Sequence, residues 1–403
     1  MSEPGRFAGC GQLIQRRLSK RVAPRLGRLL VLAALPLLAA CGDAQSRPTP
    51  APTAQLSAPP ATELPATPVV HTPANSPTAP ATSAPETATP AAGGPTVEPT
   101  TTRAPTATED PYATLTIDAL ARRGYGGGLL EITDTLETND AFTRYEIKYP
   151  SDGLEIYGFM NVPNEGDNFP VALVLHGYID PDEYDIVPYT RRYADALAEA
   201  GYFVIHPNFR NYPPSDSGPD PYRIGYATDV LNLIAIIREQ SRDPLGTLRR
   251  ADADDINLWG HSMGGGVALR VIAVNNEPYL RSAVLYGSMS GDEAKNYGRI
   301  RGWTNNSRGR FELDAPPDTL RAISPIHHLD RSEAAVAVHH SYADDVVPAE
   351  WSEEVCAVLA ELSAAGEIAH PPECFFYDLQ PHTFRGDGDA LFMERVVEFF
   401  NRH

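Results

Sequence analysis

The chain has 403 residues, with 33 basic and 52 acidic side chains and a formal net charge of −19. Seven of the basic residues lie in the first 40 positions beside one acidic residue, so the remainder is more acidic than the whole. Such a chain is repelled by phosphate backbones, and no basic patch with interleaved aromatic residues is present. The composition excludes nucleic-acid binding and favours one globular domain accompanied by non-globular sequence.

Residues 1–40 have the parts of a secretory signal peptide. Basic residues precede an apolar run of about a dozen residues, which is shorter than the ~20 that a membrane-spanning helix needs. The run ends in Leu38-Ala39-Ala40-Cys41, which resembles the bacterial lipobox, whose cysteine becomes the lipidated first residue of the mature protein. An ordinary signal peptide with an incidental cysteine is the alternative. We expect an exported protein held by a lipid on Cys41 at the extracytoplasmic face of the bacterial cell membrane.

Residues 41–109 are almost entirely Pro, Thr, Ala and Ser. A segment with so little apolar and aromatic surface cannot offset its ordering entropy, so it predicts a disordered stalk. Its prolines favour extended polyproline II, which would hold a domain away from the membrane.

The globular part begins with a predicted N-terminal extension at 110–141, which has a helical stretch at 117–122. Alternating apolar runs at 142–149 and 154–162 are joined by Pro150-Ser151-Asp152-Gly153, a pattern typical of a hairpin. The continuous apolar run at 171–175 predicts a strand that is buried on both faces of a sheet.

Strands and helices then alternate to the end of the chain. Further strands are predicted at 202–205, before Ser262, and at 282–286, 335–339 and 374–379, and helices at 189–200, 224–240, after Ser262, and at 350–362 and 390–400. Residues 291–329 read as an irregular insertion over the carboxyl edge of the sheet. We therefore expect an α/β fold over 142–403, with a mostly parallel central sheet, an opening antiparallel hairpin and helices on both faces.

The sequence Gly260-His261-Ser262-Met263-Gly264 lies between a predicted strand and a predicted helix. This is the context of a nucleophile elbow, a tight turn that lifts a serine hydroxyl above the sheet. Side chains at Gly260 and Gly264 would collide with the neighbouring strand or helix. Ser262 is therefore the candidate nucleophile.

A serine hydroxyl needs an adjacent base, and the base needs an orienting acid. His382 follows the last predicted strand and is the candidate base. Asp344 follows the strand before it and is the candidate acid, with Asp345 and Asp292 as alternatives. The remaining histidines are interpreted as structural or solvated, with His176 shaping a loop.

The oxyanion formed by attack of Ser262 needs two backbone donors. The residue after the nucleophile, Met263, supplies one N–H, and the turn at His176-Gly177-Tyr178 supplies the other, assigned to Tyr178. Both assignments concern the backbone, because the side chains are explained by packing.

Cys356 and Cys374 are the two cysteines of the globular part. An oxidising compartment permits a disulfide between them, and two unpaired buried cysteines are the alternative. The adjacent pairs His327-His328 and His339-His340 lack metal-ligand spacing, so we expect no metal and no cofactor.

The chain resembles the α/β-hydrolase superfamily over residues 142–403, and within it the catalytic domain of the prolyl oligopeptidase family of dipeptidyl and acylaminoacyl peptidases. The matching segments are 175–178, 209–211, Asp229, 260–265, 344–348 and 382–384. The resemblance implies Ser262 as nucleophile, Asp344 as acid and His382 as base. Ser341 and Asn211 stand where that family often has glycine.

Well-known members of that family carry a β-propeller that admits only short peptides, whereas the N-terminal region here predicts a stalk. Feruloyl-, acetyl- and dienelactone-type hydrolases share the catalytic domain without a propeller. We therefore expect an extracytoplasmic serine hydrolase that acts on peptide bonds, with a carboxylesterase as the alternative. A surface binding protein that retains the fold without the chemistry is a third reading.

Overall fold

The computed structural model of the protein describes residues 110–403. The predicted signal peptide, the lipid attachment at Cys41 and the predicted stalk lie outside the described residues. Among the helices of the described part, none combines the length and the apolar character needed to span a bilayer.

Within residues 110–403 nine strands form one mixed sheet in the order β1-β2-β3-β5-β4-β6-β7-β8-β9. Strands β1 to β3 pair antiparallel, and β3 also pairs antiparallel with β5. From β5 to β9 all neighbours are parallel. The strands are β1 (Glu131–Thr138), β2 (Phe142–Ser151), β3 (Leu154–Pro163), β4 (Phe169–Leu175), β5 (Phe203–Pro207), β6 (Ala251–His261), β7 (Leu280–Tyr286), β8 (Ala335–Ser341) and β9 (Glu373–Tyr377).

Helices cover both faces of this sheet and bury a separate apolar core on each. The larger core includes Ile236 and Leu269, and the smaller one includes Leu197, Trp259 and Phe399. The helices are α1 (Ile117–Arg122), α2 (Arg191–Glu199), α3 (Ile224–Gln240), α4 (Met263–Val274), α5 (Glu293–Trp303), α6 (Arg310–Leu313), α7 (Pro317–Ile323), α8 (Ala349–Ala365) and α9 (Gly386–Arg402). The predicted α/β architecture is confirmed.

The opening hairpin of β2 and β3 is present and turns at Asp152 and Gly153. Both residues have positive φ, 52° and 82°, which is the geometry of a two-residue type I′ turn. Glycine adopts this conformation without a steric cost, and Asp152 is among the residues that tolerate it.

Two expectations about secondary structure were wrong. The predicted extension at 110–141 contains β1, which pairs with β2 and lengthens the sheet. Nearly all of its residues are exposed, so it has no apolar alternation to reveal it. The predicted irregular insertion at 291–329 is helical and forms α5, α6 and α7, which we call the cap.

Buried charges hold the cap to the rest of the fold. Glu293 at the start of α5 accepts from Arg223 before α3 and from Arg270 in α4, each at 2.5 Å. All three side chains are almost fully buried, so the carboxylate is enclosed by the two guanidinium groups.

The cap is also tied to the first described residues. The hydroxyl of Tyr112 donates to the carbonyl oxygen of Phe311 in α6 at 3.0 Å, and their rings lie 4.9 Å apart. Tyr222 donates to the neighbouring carbonyl of Glu312 at 2.8 Å. The N-terminal segment therefore fastens directly to the cap.

A disulfide joins Cys356 in α8 to Cys374 in β9. It links the helix that follows the Asp344 loop to the strand that leads to His382.

Candidate active site

Ser262 lies in the one-residue turn between β6 and α4, with φ 55° and ψ −114°. Non-glycine residues rarely adopt such a conformation, and holding it costs about 1–3 kcal/mol. The Ser262 N–H donates to Tyr286 of β7 at 2.9 Å, and its carbonyl oxygen accepts from Gly265 and Met289, each at 3.1 Å. These backbone bonds maintain the turn that the sequence predicted.

The two glycines of the turn are required for the steric reason given by the sequence. A Cβ on Gly260 would collide with the backbone of Gly264, and a Cβ on Gly264 would collide with the backbone of Leu175 in β4. In each case the obstacle is main chain, which cannot move aside as a side chain can. The close approach of α4 to the sheet therefore depends on glycine at both positions.

Asp344 and His382 are joined by a short hydrogen bond. Nδ1 of His382 donates to Oδ2 of Asp344 at 2.6 Å. The side chain of Asp344 is 1% exposed and that of His382 is 15% exposed, so the carboxylate is enclosed and the imidazole borders solvent. The alternatives lie elsewhere, because Asp345 is exposed and Asp292 caps α5 by accepting from the N–H of Ala294.

The hydrogen bonds to Asp344 lower its pKa well below the usual value for an aspartate. Burial alone would raise that pKa, but contacts with His340 and His382 and the N–H of Val347 outweigh it. Oδ1 accepts from the N–H groups of Val346 at 2.8 Å and Val347 at 2.9 Å. Asp344 is therefore a fixed negative charge beside His382.

Ser262, Asp344 and His382 all follow the carboxyl ends of parallel strands and share one edge of the sheet. The ring of His261, the residue before Ser262, lies 4.7 Å from the ring of His382. Among the described residues no hydrogen bond joins the Ser262 hydroxyl to His382. Such bonds often tighten only when substrate is bound.

Gly287, directly after β7, lies beneath the pair. A Cβ there would be 3.4 Å from the His382 ring and 3.5 Å from Oδ2 of Asp344, and its φ is +50°. These distances are ordinary van der Waals contacts, so the positive φ, which other residues rarely adopt, is what favours glycine at this position. No motif in the sequence indicates a role for this glycine.

The predicted oxyanion donors lie on two segments that meet at Ser262. Met263 is the first residue of α4, so its N–H has no intrahelical carbonyl to donate to. Tyr178 follows Gly177, where a Cβ would be 3.2 Å from the Cβ of Ser262. The turn after β4 is therefore packed against the serine.

His176 shapes that turn, as the sequence analysis expected. Its Nδ1 lies 2.7 Å from the carbonyl oxygen of Gly177 and its Nε2 lies 2.7 Å from that of Asn208. The ring is fully buried, and burial lowers its pKa to about 4.

The site contains two further histidines that the sequence analysis left outside it. His261 contacts the carbonyl oxygen of His382 through Nε2 at 3.1 Å. Nε2 of His340 lies 3.1 Å from Oδ2 of Asp344. The spacing of four residues between His340 and Asp344, directly after a buried strand, is the signal that could have indicated the second contact.

The cap borders the same edge of the sheet. Arg299 in α5 donates to the carbonyl oxygen of Val346, two residues after Asp344, at 2.9 Å from Nε. Its guanidinium carbon also lies 5.0 Å from the ring of Trp303, which is 51% exposed. The cap therefore contacts the loop that carries the acid.

Comparison with known proteins identifies the fold. The family profile described as alpha/beta hydrolase fold matches residues 170–319, a segment that includes Ser262 and ends before Asp344. The protein has the α/β-hydrolase fold. No curated protein shows significant similarity to the sequence.

Solved structures of two peptidases and an esterase resemble the chain at low identity. A puromycin-hydrolysing peptidase of Mycobacterium tuberculosis has a TM-score of 0.51 and 20% identity, covering 66% of this chain and 40% of that one. The acylaminoacyl peptidase of Pyrococcus horikoshii has a TM-score of 0.51 and 21% identity, covering 66% and 42%. An acetyl xylan esterase of Thermoanaerobacterium has a TM-score of 0.48 and 16% identity, covering 68% and 88%.

The chain spans about two fifths of the length of the two peptidases that it matches. At these identities the likeness concerns the fold, and the chemistry has to be argued from the site itself.

Proposed function

We propose that the protein is a serine hydrolase that works through an acyl-enzyme, with Ser262 as nucleophile, His382 as general base and Asp344 as orienting acid. The observation that carries the proposal is the 2.6 Å hydrogen bond from His382 to a buried Asp344, at the sheet edge where Ser262 occupies a strained turn. Strained backbone and paired titratable side chains concentrate at functional sites.

The proposed reaction has two halves. Oγ of Ser262 attacks the substrate carbonyl carbon while Nε2 of His382 takes the hydroxyl proton, and Asp344 stabilises the imidazolium that forms. His382 then gives this proton to the leaving amine or alcohol, and the acyl group stays on Ser262. Water repeats the sequence, with His382 as base, to release the acid and restore the serine.

The N–H groups of Met263 and Tyr178 are the proposed donors to the oxyanion. The free N–H at the start of α4 and the contact of the Gly177 turn with Ser262 support this assignment. The loss of one such donor typically lowers kcat by about 10²–10³.

We favour a peptide substrate, because the segments around Ser262, Asp344 and His382 resemble those of the prolyl oligopeptidase family. A carboxylester substrate is the second candidate. It is favoured by the described part of the chain, in which one sheet carries only a short helical cap at 291–329.

A fluorophosphonate probe tests the nucleophile. We expect the purified protein to be labelled and Ser262→Ala to remain unlabelled. Ser288→Ala is a matched control, because Ser288 is also buried near α4, where a Cβ on Gly265 would be 2.6 Å from its hydroxyl oxygen. Labelling of Ser262→Ala, or no labelling of the folded wild-type protein, contradicts the proposal, and the second result favours a binding protein.

A paired substrate panel separates the two bond types. The two substrates of each pair share the same acyl group, which is an N-acylated amino acid or an unblocked dipeptide. One substrate of the pair is an amide and the other is a p-nitrophenyl ester. Faster turnover of short-chain esters together with no detectable amide cleavage would favour the carboxylesterase, and efficient amide cleavage the peptidase.

We also propose that the protein is exported and anchored by a lipid on Cys41. The Cys356–Cys374 disulfide supports export, because disulfides persist mainly in oxidising compartments. In a bacterial host, Cys41→Ser should move the protein from the membrane fraction to the soluble extracytoplasmic fraction and abolish palmitate incorporation. Unchanged fractionation and labelling would exclude a lipid at this cysteine.

A further inference from the structure

Three contacts fix His340, which is fully buried in β8. Nδ1 lies 2.6 Å from the hydroxyl oxygen of Ser352 in α8. Nε2 lies 3.0 Å from the carbonyl oxygen of Val347 and 3.1 Å from Oδ2 of Asp344. The ring therefore connects the strand, the following helix and the loop that carries the proposed acid.

These contacts determine where the ring carries its proton. Both oxygen atoms near Nε2 only accept hydrogen bonds, whereas the Ser352 hydroxyl can donate to Nδ1. A proton on Nε2 therefore satisfies the carbonyl and the carboxylate, and the Ser352 hydroxyl satisfies Nδ1. The Nε2–H of His340 points at the carbonyl oxygen of Val347, and the carboxylate of Asp344 lies beside this N–H bond.

His340 therefore acts on both ends of the acid loop. It holds the carbonyl of Val347, whose own N–H donates to Oδ1 of Asp344 at 2.9 Å. It also places a positive N–H edge against Oδ2, the same oxygen that receives the bond from His382 at 2.6 Å.

The adjacent histidine provides a contrast. His339 is equally buried, but successive strand residues point to opposite faces of the sheet. Its ring stacks on Phe375 at 4.7 Å, and Nδ1 contacts the hydroxyl of Tyr377 at 3.0 Å. His339 thus shares the strand and the burial of His340 without contacting the acid loop.

We propose that His340 is a positioning residue of the proposed hydrolase, which fixes the Asp344 loop and disperses the charge on the oxygen that orients His382. The inference rests on the proposed function and names an additional residue in the same site. Removal of the N–H should loosen the acid and concentrate its charge, so that the imidazolium of His382 is stabilised more strongly. The acid limb of kcat/KM should then move to higher pH, and kcat should fall.

Substitution of His340 leaves the other charged and titratable groups near the His382–Asp344 pair unchanged. They are His261, whose ring faces His382; Arg192, which donates to the carbonyl of Phe384; Arg299, which donates to Val346; and the exposed Asp345. Because none of them contacts His340, a change in the pH profile on its substitution reports on the Asp344 contact.

The test compares His340→Leu, His340→Gln and His339→Leu in the otherwise intact protein, with kcat, KM and the pH profile measured for each. We expect His340→Leu to lower kcat about tenfold or more with little change in KM, and to shift the acid limb upward by about half a pH unit. His340→Gln keeps an N–H near the position of Nε2 and should recover most of the activity. His339→Leu should leave the pH profile unchanged.

A spectroscopic measurement covers the case in which His340→Leu does not fold. The downfield proton resonance of the His382–Asp344 hydrogen bond should move in Ser352→Ala, which removes the partner of Nδ1, and stay in place in His339→Leu. Equal kcat losses in His340→Leu and His339→Leu with unchanged pH profiles, or an unmoved resonance in Ser352→Ala, would overturn the inference. Failure of the wild-type protein to react with the fluorophosphonate would instead overturn the proposed function.

Discussion

His261 supports the backbone of His382. Its Nε2 donates to the His382 carbonyl oxygen at 3.1 Å, and its Nδ1 accepts from the Tyr189 hydroxyl at 2.6 Å. Burial, followed by the nearby His382, lowers the pKa of His261 to about 3. The ring therefore stays neutral near pH 7 and keeps one donor and one acceptor nitrogen. The residue before the proposed nucleophile thus connects the loop after β4 to the loop after β9.

Replacing His261 should misplace the proposed base. We expect His261→Leu to lower kcat by about 10- to 100-fold with a smaller effect on KM, because small displacements of catalytic groups have effects of this size. Tyr189→Phe removes only the hydroxyl and should lose less. Steady-state kinetics with an ester that the wild-type protein hydrolyses would measure these losses. A kcat for His261→Leu equal to that of the wild type would contradict the prediction.

Buried neutral histidines should make the protein sensitive to acid. Burial lowers the pKa of His176 to about 4, of His261 and His339 to about 3, and of His206 well below its usual value. Below pH ~6.5 the unfolded chain binds protons at these positions while the folded protein does not. The free energy of unfolding should therefore fall as the pH decreases from about 6.5 toward 4, by up to about 1.4 kcal/mol per pH unit for each histidine.

Urea unfolding between pH 7 and pH 4.5 measures this slope. Among the described residues, Nε2 of His339 has no hydrogen-bond partner. His339→Leu therefore removes one titrating group without breaking a hydrogen bond at that nitrogen. In this variant the slope of unfolding free energy against pH should decrease by the amount expected for one proton fewer bound on unfolding. An undiminished slope would show that His339 does not take part.

The Cys356–Cys374 disulfide should stabilise the fold. It closes a loop with a sequence separation of 18, for which chain entropy gives about 3 kcal/mol. The double variant Cys356→Ser/Cys374→Ser should lose about 2–4 kcal/mol of unfolding free energy. Reductant should destabilise the wild-type protein by the same amount and leave the double variant unchanged, and a reductant effect on the double variant would point to another origin.

The ion pair between Arg210 and Asp229 should be costly to break. Asp229 is fully buried and accepts from the Arg210 guanidinium at 2.8 Å, from its backbone N–H at 2.9 Å and from the Ser151 hydroxyl at 2.6 Å. Loss of one partner leaves a buried charge, which typically costs about 3–5 kcal/mol.

Chemical denaturation of Asp229→Ala beside Ser151→Ala tests this. Ser151→Ala removes two hydrogen bonds, the one donated to Asp229 and the one accepted from Asn232 at 2.9 Å, and should cost about 1–3 kcal/mol. Similar losses in the two variants would indicate that the guanidinium is solvated once its partner is gone.

Much of the fold was predictable because its strands and helices carry strong apolar patterns. Helices α1 and α3 begin and end where the sequence predicted, and the parallel strands β4, β7 and β8 were found as short apolar runs. The order of the strands in the sheet then follows from the fold class.

The parts that were missed lack such patterns. Strand β1 is stabilised by backbone pairing to β2 and exposes both of its faces, so its composition resembles a polar loop. The contacts of His261 with Tyr189 and His382 join residues that are distant in the sequence. The spacing of four residues from His340 to Asp344 hints at their contact, but the structure is needed to show that the ring of His340, and not that of His339, faces the acid loop.

The bond between Tyr112 and Phe311 has a mechanical consequence. The chain enters the described domain at the cap, so a load applied to residue 110 is transmitted to α6 before it reaches the sheet. If the preceding segment is fixed at a surface, tension would act first on the cap beside the Asp344 loop. In a single-molecule pulling experiment from the N-terminus, the cap should therefore detach at a lower force than the central strands.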